Sequence, residues 1–287
     1  MITSSLEDTK FILKKYNIKA NKKLGQNFLV DDDVIDSIIA SADLSRNSVV
    51  IEIGPGLGTL TAKLLEKAGK VIGIELDERM IKILNDRFSL YNNLLLINDD
   101  ILKVNMKQLI SENLKEFSEV KIVANLPYYI TTPIIMKLLE ERLNIESLIV
   151  MIQKEVADRI TAMPGDKLSG AITYSVNYYA EPDKIEFVDK CSFIPSPEVD
   201  SEVIKLKIRE KPVVSVENEE LFFKLIKASF MQRRKTLKNG ISNSGIVKDK
   251  KILTEIFEKL GLDAEVRGET LSLEQFAKLS NLMSKTL

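Results

Sequence analysis

The sequence predicts an α/β protein with a doubly wound parallel sheet and a small, all-helical C-terminal domain. Short apolar runs alternate with segments of helical periodicity as far as about residue 156. This is the pattern of strands joined by helices that cover both faces of a parallel sheet. After KPVVSVEN (211–218), three helical segments follow with no strand between them. We therefore predict one domain over 1–210, which begins with a basic segment at 1–30, and a second domain over 211–287.

Successive apolar runs define the predicted strands, and most are followed by apolar residues at helical spacing. The first five strands are VVIEI (49–53), KVIGIELD (70–77), NLLLINDD (93–100), KIVANLPY (121–128) and SLIVMIQKEV (147–156), the last of which runs into a helix. Later strands of the same sheet are predicted at AITYSVNYYAEP (171–182), KIEFVDKCSFIP (184–195) and VDSEVIKLKIR (199–209). The last of these alternates polar and apolar residues, which favours the edge of the sheet.

The composition excludes several classes of chemistry. The 287 residues include one cysteine and no histidine, so disulfide frameworks, HExxH zinc sites and serine–histidine triads are excluded, and we expect no metal site. No apolar run approaches the roughly 18 residues that span a bilayer, and the first residues do not resemble a signal peptide. We expect a cytoplasmic protein whose chemistry uses carboxylates, amides, backbone groups, lysines, tyrosines or a cofactor.

Polar residues follow four of the predicted strands at their carboxyl ends, where open α/β sheets bind ligands. The first strand ends on GPGLG, with Gly54 and Gly56, and the others end on Glu75, Asp100 and Asn125. The glycine loop alone is equally typical of a tight strand-to-helix turn. It lacks the last position of the dinucleotide fingerprint GxGxxG and the GKS or GKT ending of a P-loop.

The acidic residues make a nucleoside site the better interpretation of this glycine loop. Glu75 would accept both hydroxyls of a ribose, and Asp100 would accept from an adenine amino group. A compact nucleoside without a pyrophosphate fits better than NAD. S-adenosyl-L-methionine is such a nucleoside and carries its own activated methyl group, so it is the predicted cofactor of a chain that has no histidine.

The fourth strand ends on Asn125-Leu126-Pro127-Tyr128, for which two interpretations are open. In the first, the Asn125 side-chain carbonyl and a backbone carbonyl of Leu126–Pro127 accept both hydrogens of an exocyclic amine, and Tyr128 stacks on the base. Pro127 fixes its own φ and biases Leu126 away from helix, which holds that carbonyl outward. In the second, the segment is a turn with a threonine cap before the next helix. Both interpretations can hold together.

Nine motifs resemble those of the small-subunit (16S) ribosomal RNA adenine dimethyltransferases, in the same order and over nearly the whole chain. They are NKKLGQNFL (21–29), EIGPGLGTLT (52–61), GIELD (73–77), NDDIL (98–102), ANLPYYITTPI (124–134), QKEVADR (153–159), FIPSPEVDS (193–201), FMQRRKTLKN (230–239) and RGETLSLEQF (267–276). The resemblance implies a Rossmann-like methyltransferase sheet. It also implies that methyl groups pass from S-adenosyl-L-methionine to the N6 amines of two adjacent adenines near the 3′ end of 16S rRNA, late in assembly of the small ribosomal subunit.

The same resemblance implies roles for individual residues. Asn27 and Leu29 would line the methionine end of the cofactor together with the glycine loop. Asn125 would border both the cofactor and the target amine. Phe193, just before a Pro-x-Pro sequence, would stack on the target adenine opposite Tyr128. We expect a monomer with no membrane partner.

Two basic clusters, at 14–23 and 232–239, are candidate RNA contacts. Lysine and arginine clusters can follow a phosphate backbone, whereas ordinary solvated helix faces carry similar clusters. With the resemblance, we predict that Lys22, Lys23, Arg233, Arg234 and Lys235 contact rRNA.

Two alternative functions are retained. The sister family that dimethylates one large-subunit rRNA adenine shares the cofactor motifs, but Gly25 and the C-terminal helical motifs favour the small-subunit family. A catalytically inactive RNA-binding assembly factor is less favoured because the strand-end residues are intact. One departure from the family is KLSGAIT (167–173), where Ser169 stands at a position that relatives tend to fill with tyrosine.

Overall fold

The computed structural model describes residues 4–115, 117–231, 235–247 and 250–286. The predicted RNA contacts Arg233 and Arg234 lie outside these ranges. The chain forms two compact units: one contains the N-terminal residues up to Ala157 together with Pro182–Ile208, and the other contains Asp158–Glu181 and the residues from Arg209 onward. None of the helices in the described ranges has the length and apolar character needed to cross a membrane.

The strands form a seven-stranded sheet and a separate two-stranded sheet. In chain order they are β1 (Phe28–Leu29), β2 (Ser48–Ile53), β3 (Lys70–Glu75), β4 (Leu94–Asn98), β5 (Glu119–Asn125), β6 (Ser147–Gln153), β7 (Ala180–Val188), β8 (Phe193–Ile194) and β9 (Ser201–Ile208). The large sheet has the order β4-β3-β2-β5-β6-β9-β7. Its pairs from β4 to β6 are parallel and the β6–β9 pair is antiparallel, while β1 pairs antiparallel with β8.

Helices connect these strands and make up most of the second unit. They are α1 (Ser5–Lys15), α2 (Asp32–Ala42), α3 (Thr59–Lys67), α4 (Glu78–Arg87), α5 (Met106–Asn113), α6 (Thr131–Glu140), α7 (Lys154–Thr161), α8 (Ala171–Tyr179), α9 (Glu219–Met231), α10 (Leu237–Asn243), α11 (Lys250–Leu260) and α12 (Leu273–Thr286). Short 3-10 helices occur at Lys22–Leu24, Lys190–Ser192 and Gly268–Thr270.

The register of the central strands brings the predicted site residues to one edge of the sheet. All of β2 is buried, as expected for a strand with helices over both faces. Ile53, its last residue, lies opposite Ile74 of β3 and Ala124 of β5. The residues that follow these three positions are Gly54, Glu75 and Asn125, so the glycine loop, the acid and the amide meet at the carboxyl edge.

Three segments differ from the sequence prediction. Residues 190–195, predicted within a strand of the large sheet, contain the 3-10 helix Lys190–Ser192 and the strand β8 of the two-stranded sheet. Residues 171–179 form the helix α8 where a strand was predicted, although Ile, Thr, Tyr and Val favour strands. Burial outweighs that preference, because the buried Tyr174 hydroxyl donates to the Leu271 carbonyl at 2.6 Å. The strand β9 was predicted at an edge but lies between β6 and β7. Its residues are buried on both faces over most of its length, and β7 is the edge strand.

The division into units also differs from the predicted boundary near residue 210 in one segment. Residues 158–181 group with the C-terminal helices rather than with the sheet. Aromatic contacts explain this grouping: the Tyr174 ring lies 5.2 Å from Phe276 and 5.3 Å from Phe230, and Tyr178 lies 5.3 Å from Phe222. Such ring pairs stabilise a core beyond their area of burial.

Candidate active site

A cleft opens at the carboxyl edge of the sheet in the first unit. Its empty space is about 1110 Å³, with open solvent at the mouth included. The structure brings together ten predicted site residues along its walls: Asn27, Leu29, Gly54, Gly56, Glu75, Asp100, Asn125, Leu126, Pro127 and Tyr128.

Glu75 is held in one orientation at the end of β3. The Gly56 N–H donates to its Oε2 at 3.0 Å, and the Asp77 N–H donates to its Oε1 at 2.8 Å. Each oxygen keeps a second lone pair for a ligand. Burial raises the pKa of the Glu75 carboxyl, while these backbone donors act in the opposite direction. The residue can therefore accept two hydroxyl groups without moving.

The glycine loop leaves room for a ligand against the backbone. Gly54 and Gly56 have φ values of +68° and +58°, which other residues rarely adopt. The atom nearest to a Cβ added to Gly54 would be the Asn125 carbonyl oxygen, 4.0 Å away. A side chain at this position would project into the space that the cleft leaves open.

Glu52 is a buried carboxyl group on the cleft wall, and its side chain is 2% exposed. The Thr61 hydroxyl donates to its Oε2 at 2.6 Å. Burial raises the pKa of Glu52 to about 8, and the nearby Glu75 charge adds to the effect. At neutral pH the group is therefore mostly protonated, which avoids two charged carboxylates in one wall.

Asp100 lies on the same wall after β4 and has one carboxylate oxygen engaged. Its Oδ1 accepts from the Leu102 N–H at 3.0 Å, and its own N–H donates to Asp99 Oδ1 at 2.7 Å. These local bonds fix the turn that carries the Asp100 side chain into the cleft. Asp99 therefore supports the turn, and Asp100 is placed to accept from a ligand amine.

The Asn125 side chain is oriented by its own amide nitrogen. Its Nδ2 donates to the Asn27 backbone carbonyl at 3.2 Å, so the carbonyl oxygen Oδ1 is the atom left for a ligand. Asn27 is oriented in turn, because its Nδ2 donates to the Gly25 carbonyl at 3.3 Å. The segment before β1 therefore sets the direction of the amide at the end of β5.

The backbone after Asn125 offers a second acceptor. The Pro127 carbonyl accepts from the Ile130 N–H at 3.2 Å and the Thr131 hydroxyl at 3.1 Å. No donor to the Leu126 carbonyl is found in the described part of the chain, so this is the carbonyl available within the predicted pair. The predicted threonine cap is wrong, because α6 has Ile130 at its N-cap and no side-chain cap.

Tyr128 is half-buried and its ring position is fixed by its hydroxyl. The hydroxyl shares a hydrogen bond of 2.6 Å with the buried Ser201 hydroxyl. Burial raises the pKa of Tyr128, so the phenol is neutral at physiological pH. A neutral, anchored ring on the cleft wall suits stacking on a flat ligand.

The structure does not bring Phe193 into the cleft. Its side chain is 3% exposed and belongs to the core of the first unit, where it pairs with Leu29 across β1 and β8. Its predicted stacking role is not supported by this position. Lys22, Lys23 and Lys235 are exposed, as phosphate contacts must be. Tyr129, the next residue after Tyr128, is 59% exposed and is therefore not a core residue.

Sequence reasoning missed two residues that shape the cleft. Gln26 bridges two segments, since its Oε1 accepts from the Asn21 N–H at 2.8 Å and its Nε2 donates to Asp77 Oδ2 at 2.9 Å. The ring of Phe28 lies against Gly56, where an added Cβ would come within 3.5 Å of it. Both residues lie in the motif NKKLGQNFL. Its cluster of amide side chains and an aromatic ring could have indicated that they belong to the cleft.

The fold and the cleft define the chain as an S-adenosyl-L-methionine-dependent methyltransferase. The ribosomal RNA adenine dimethylase family model matches residues 17–285, and the chain belongs to this family. A ribosomal RNA small subunit methyltransferase A from Bacillus pumilus is 50% identical over 281 residues, covering 97% of this chain and 96% of that one. A protein of the same name from Bacillus mycoides is 47% identical over 277 residues, covering 96% and 95%.

Solved structures show the same architecture. A dimethyladenosine transferase from Plasmodium falciparum superposes with a TM-score of 0.76 at 30% identity, covering 90% of this chain and 98% of that one. The 23S rRNA methyltransferase ErmE superposes with a TM-score of 0.67 at 24% identity, covering 90% and 100%. The second likeness concerns the fold alone.

The residues present fit S-adenosyl-L-methionine. The open space over Gly54 admits a ligand against the backbone, and the anchored Glu75 carboxylate suits the two ribose hydroxyls. Asp100 would take the adenine amine, while Asn27 and Leu29 would line the methionine end. When bound, the cofactor would supply an activated methyl group on a sulfonium, whose sulfur is the leaving group for methyl transfer.

Proposed function

We propose that this chain methylates the N6 amines of two adjacent adenines near the 3′ end of 16S rRNA in the small ribosomal subunit, giving N6,N6-dimethyladenosines. The observation that carries the proposal is the pair of oriented acceptors at the end of β5. Asn125 Nδ2 donates to the Asn27 carbonyl, and within the described residues no donor reaches Asn125 Oδ1 or the neighbouring Leu126 carbonyl. Two acceptors side by side match the two hydrogens of one amine.

These acceptors address the chemical difficulty of the reaction. The lone pair of an adenine amine is delocalised into the ring, which makes the nitrogen a poor nucleophile. Hydrogen bonds from both N–H groups to Asn125 and Leu126 favour a tetrahedral nitrogen and direct its lone pair at the methyl group. The nitrogen then forms its new bond to carbon and loses one proton to solvent. No general base is needed, in keeping with a chain without histidine.

Tyr128 would hold the target base in this position. A base must leave its stack to enter a cleft of this kind, and stacking on a neutral aromatic ring offsets about 1–3 kcal/mol of that cost. The Ser201 hydroxyl fixes the ring from behind. Phe193, buried as it stands, would reach the base only if β8 moved, so we assign the stacking role to Tyr128.

The choice of small-subunit rRNA rests on the relatives. Two bacterial relatives named small subunit methyltransferase A match over at least 95% of both chains. We propose that the chain acts as a monomer, because ten of the predicted site residues meet in one cleft of its first unit. We further propose that it acts in the cytoplasm late in ribosome assembly, and that Lys22, Lys23, Arg233, Arg234 and Lys235 contact rRNA phosphates.

The experiment that tests this function is tritiated methyl transfer from S-adenosyl-L-methionine. Undermethylated small subunits and large-subunit RNA are offered separately, and the modified bases are mapped. We expect label on two adjacent adenines of the small subunit. Label on large-subunit RNA alone would assign the chain to the sister activity, and binding of small subunits without any transfer would indicate an inactive assembly factor.

A further inference from the structure

Tyr129 is a large aromatic residue at the mouth of the cleft to which the proposed function gives no role. Its side chain is 59% exposed, yet it lines the same cleft as its neighbour Tyr128. A scattered exposed ring on a protein surface is ordinary. This one is different because it stands beside the site where the target base would enter.

The Tyr129 ring is supported on one side by backbone. It sits in the turn closed by the bond from the Ile130 N–H to the Pro127 carbonyl. A Cβ added to Gly25 would come within 3.4 Å of Tyr129 Cδ1 and 3.5 Å of Cε1. Gly25 has a φ of +62°, a conformation that disfavours side chains. A bare glycine therefore supports the edge of the ring while much of the ring faces solvent.

The segment that contacts the Tyr129 ring through Gly25 also carries two lysines. Lys22 and Lys23 form the 3-10 helix that ends at Gly25. Both are exposed, and neither forms an ion pair with any residue in the described ranges. The segments 19–30 and 120–139, which build this end of the cleft, contain no aspartate or glutamate. An exposed ring beside free positive charge is the combination that binds single-stranded nucleic acid.

We propose that Tyr129, supported by Gly25, is a stacking site for the nucleotide next to the target adenine, with Lys22 and Lys23 contacting the adjoining phosphates. The proposal rests on the proposed function, which puts the target base at Tyr128. The Cα atoms of Tyr128 and Tyr129 are about 3.8 Å apart. Consecutive side chains on a tight turn can thus receive consecutive bases, one inside the cleft and one at its mouth.

The test is the variant Tyr129→Ala, assayed by methyl transfer to undermethylated small subunits. We expect the KM for subunits to rise by about 5- to 100-fold, the range for loss of one stacked base. Tyr129→Phe keeps the ring and should retain a KM near that of the wild type. The affinity for S-adenosyl-L-homocysteine, measured by calorimetry, should be unchanged in both variants. Tyr91→Ala, which removes an exposed tyrosine that is not among the cleft-lining residues, is the matched control.

Ultraviolet cross-linking to small subunits distinguishes RNA stacking by Tyr129 from a purely structural role of this residue. We expect a cross-link between Tyr129 and a nucleotide that adjoins a methylated adenine. Equal KM values for wild type and Tyr129→Ala, or a cross-link only to a distant nucleotide, would overturn the proposal. A Tyr129→Phe variant as impaired as Tyr129→Ala would also overturn it, because stacking needs no hydroxyl. Failure of the wild type to methylate small subunits would instead contradict the proposed function.

Discussion

The two ends of the cleft present different kinds of groups. The end formed by β2, β3 and β4 carries the acids Glu52, Glu75 and Asp100, each fixed by a neighbouring hydroxyl or N–H group. The end formed by the segment before β1 and the turn after β5 has no acid and presents amides, backbone carbonyls and rings. Carboxylates can bind the hydroxyl and amino groups of a ligand and hold them in place. Neutral acceptors are better suited to bind an amine that must stay uncharged in order to react.

The largest effect is expected at the neutral end. Asn125→Ala removes the oriented acceptor and should lower the rate of methyl transfer by at least about 10²–10³-fold, the cost of losing one positioned hydrogen-bonding group in other enzymes. Cofactor affinity should fall only partly, because Glu75 and the glycine loop remain. Single-turnover transfer to small subunits and calorimetry with S-adenosyl-L-homocysteine measure the two effects.

Asn85→Ala is the matched control for this variant, since Asn85 is an exposed asparagine of α4 whose side chain donates to the Ile81 carbonyl of the same helix. It should leave both quantities unchanged. Dimethylation by Asn125→Ala at the wild-type rate would refute the amine-positioning role of Asn125. It would also refute the proposed difference between the two ends of the cleft.

At the acidic end the expected effect is smaller, and it concerns the affinity for the cofactor. Glu75→Gln removes a charge and one acceptor that faces the ribose, so cofactor affinity should fall by about 10- to 100-fold, as for a hydrogen bond to a charged group. Transfer at saturating cofactor should stay within a few-fold of wild type. Glu78→Gln, an exposed residue three positions on, is the control. A large loss of saturated rate with unchanged affinity would contradict this assignment.

A smaller effect is expected from the basic cluster at 232–239 in the C-terminal part of the sequence. Neutralising Arg233, Arg234 and Lys235 to Gln should weaken binding to small subunits by about tenfold. It should also reduce the slope of log affinity against log salt by about 2–3, since each phosphate contact contributes roughly 0.7–0.9. Filter binding at several salt concentrations measures the slope.

The control for that variant has the same change of net charge at exposed lysines of the first unit, namely Lys67, Lys82 and Lys107, all changed to Gln. Its salt slope should match the wild type. If the slope of the basic-cluster variant is also unchanged, these three residues are solvated surface charges and not rRNA contacts.

The last prediction concerns stability rather than binding or rate. Glu52 has a folded-state pKa of about 8, raised from 4.5 by burial, so the folded protein binds more protons than the unfolded chain between these values. The contribution of the neutral Glu52 carboxyl to the free energy of unfolding is fully present below about pH 4.5 and is lost as the pH rises through about 8. The free energy of unfolding falls by at most about 1.4 kcal/mol per pH unit in this window. Glu52→Gln should flatten this decline in urea unfolding between pH 6 and about 9. An identical pH profile would show that Glu52 is not buried neutral.

Much of the fold and most of the cleft could be predicted from the sequence because both depend on local patterns. Strand ends at the sheet edge place Gly54, Glu75, Asp100 and Asn125 together whatever the details of packing. The segment 171–179 could not be predicted, because burial of Tyr174 and Tyr178 against distant aromatic residues overrides local strand preference. The burial of Phe193 is also a tertiary property, set by its pairing across from Leu29.

Residues of the cleft mouth were the least predictable. Gln26 and Tyr129 have no periodic signal, and their roles depend on contacts with segments about 50 to 100 positions away. In contrast, the acceptor role proposed for Asn125 was suggested by the sequence itself, since a chain without histidine lacks the commonest general base. The structure adds the bond from Nδ2 to Asn27 that leaves Oδ1 free.

The most direct test of the division between the two ends is one experiment on three proteins. Wild type, Glu75→Gln and Asn125→Ala are compared for affinity toward S-adenosyl-L-homocysteine and for single-turnover transfer to small subunits at saturating S-adenosyl-L-methionine. We predict that Glu75→Gln loses mainly affinity and Asn125→Ala loses mainly the rate of transfer. Equal losses of affinity and rate in both variants would contradict the account, because the two ends would then act as a single binding surface.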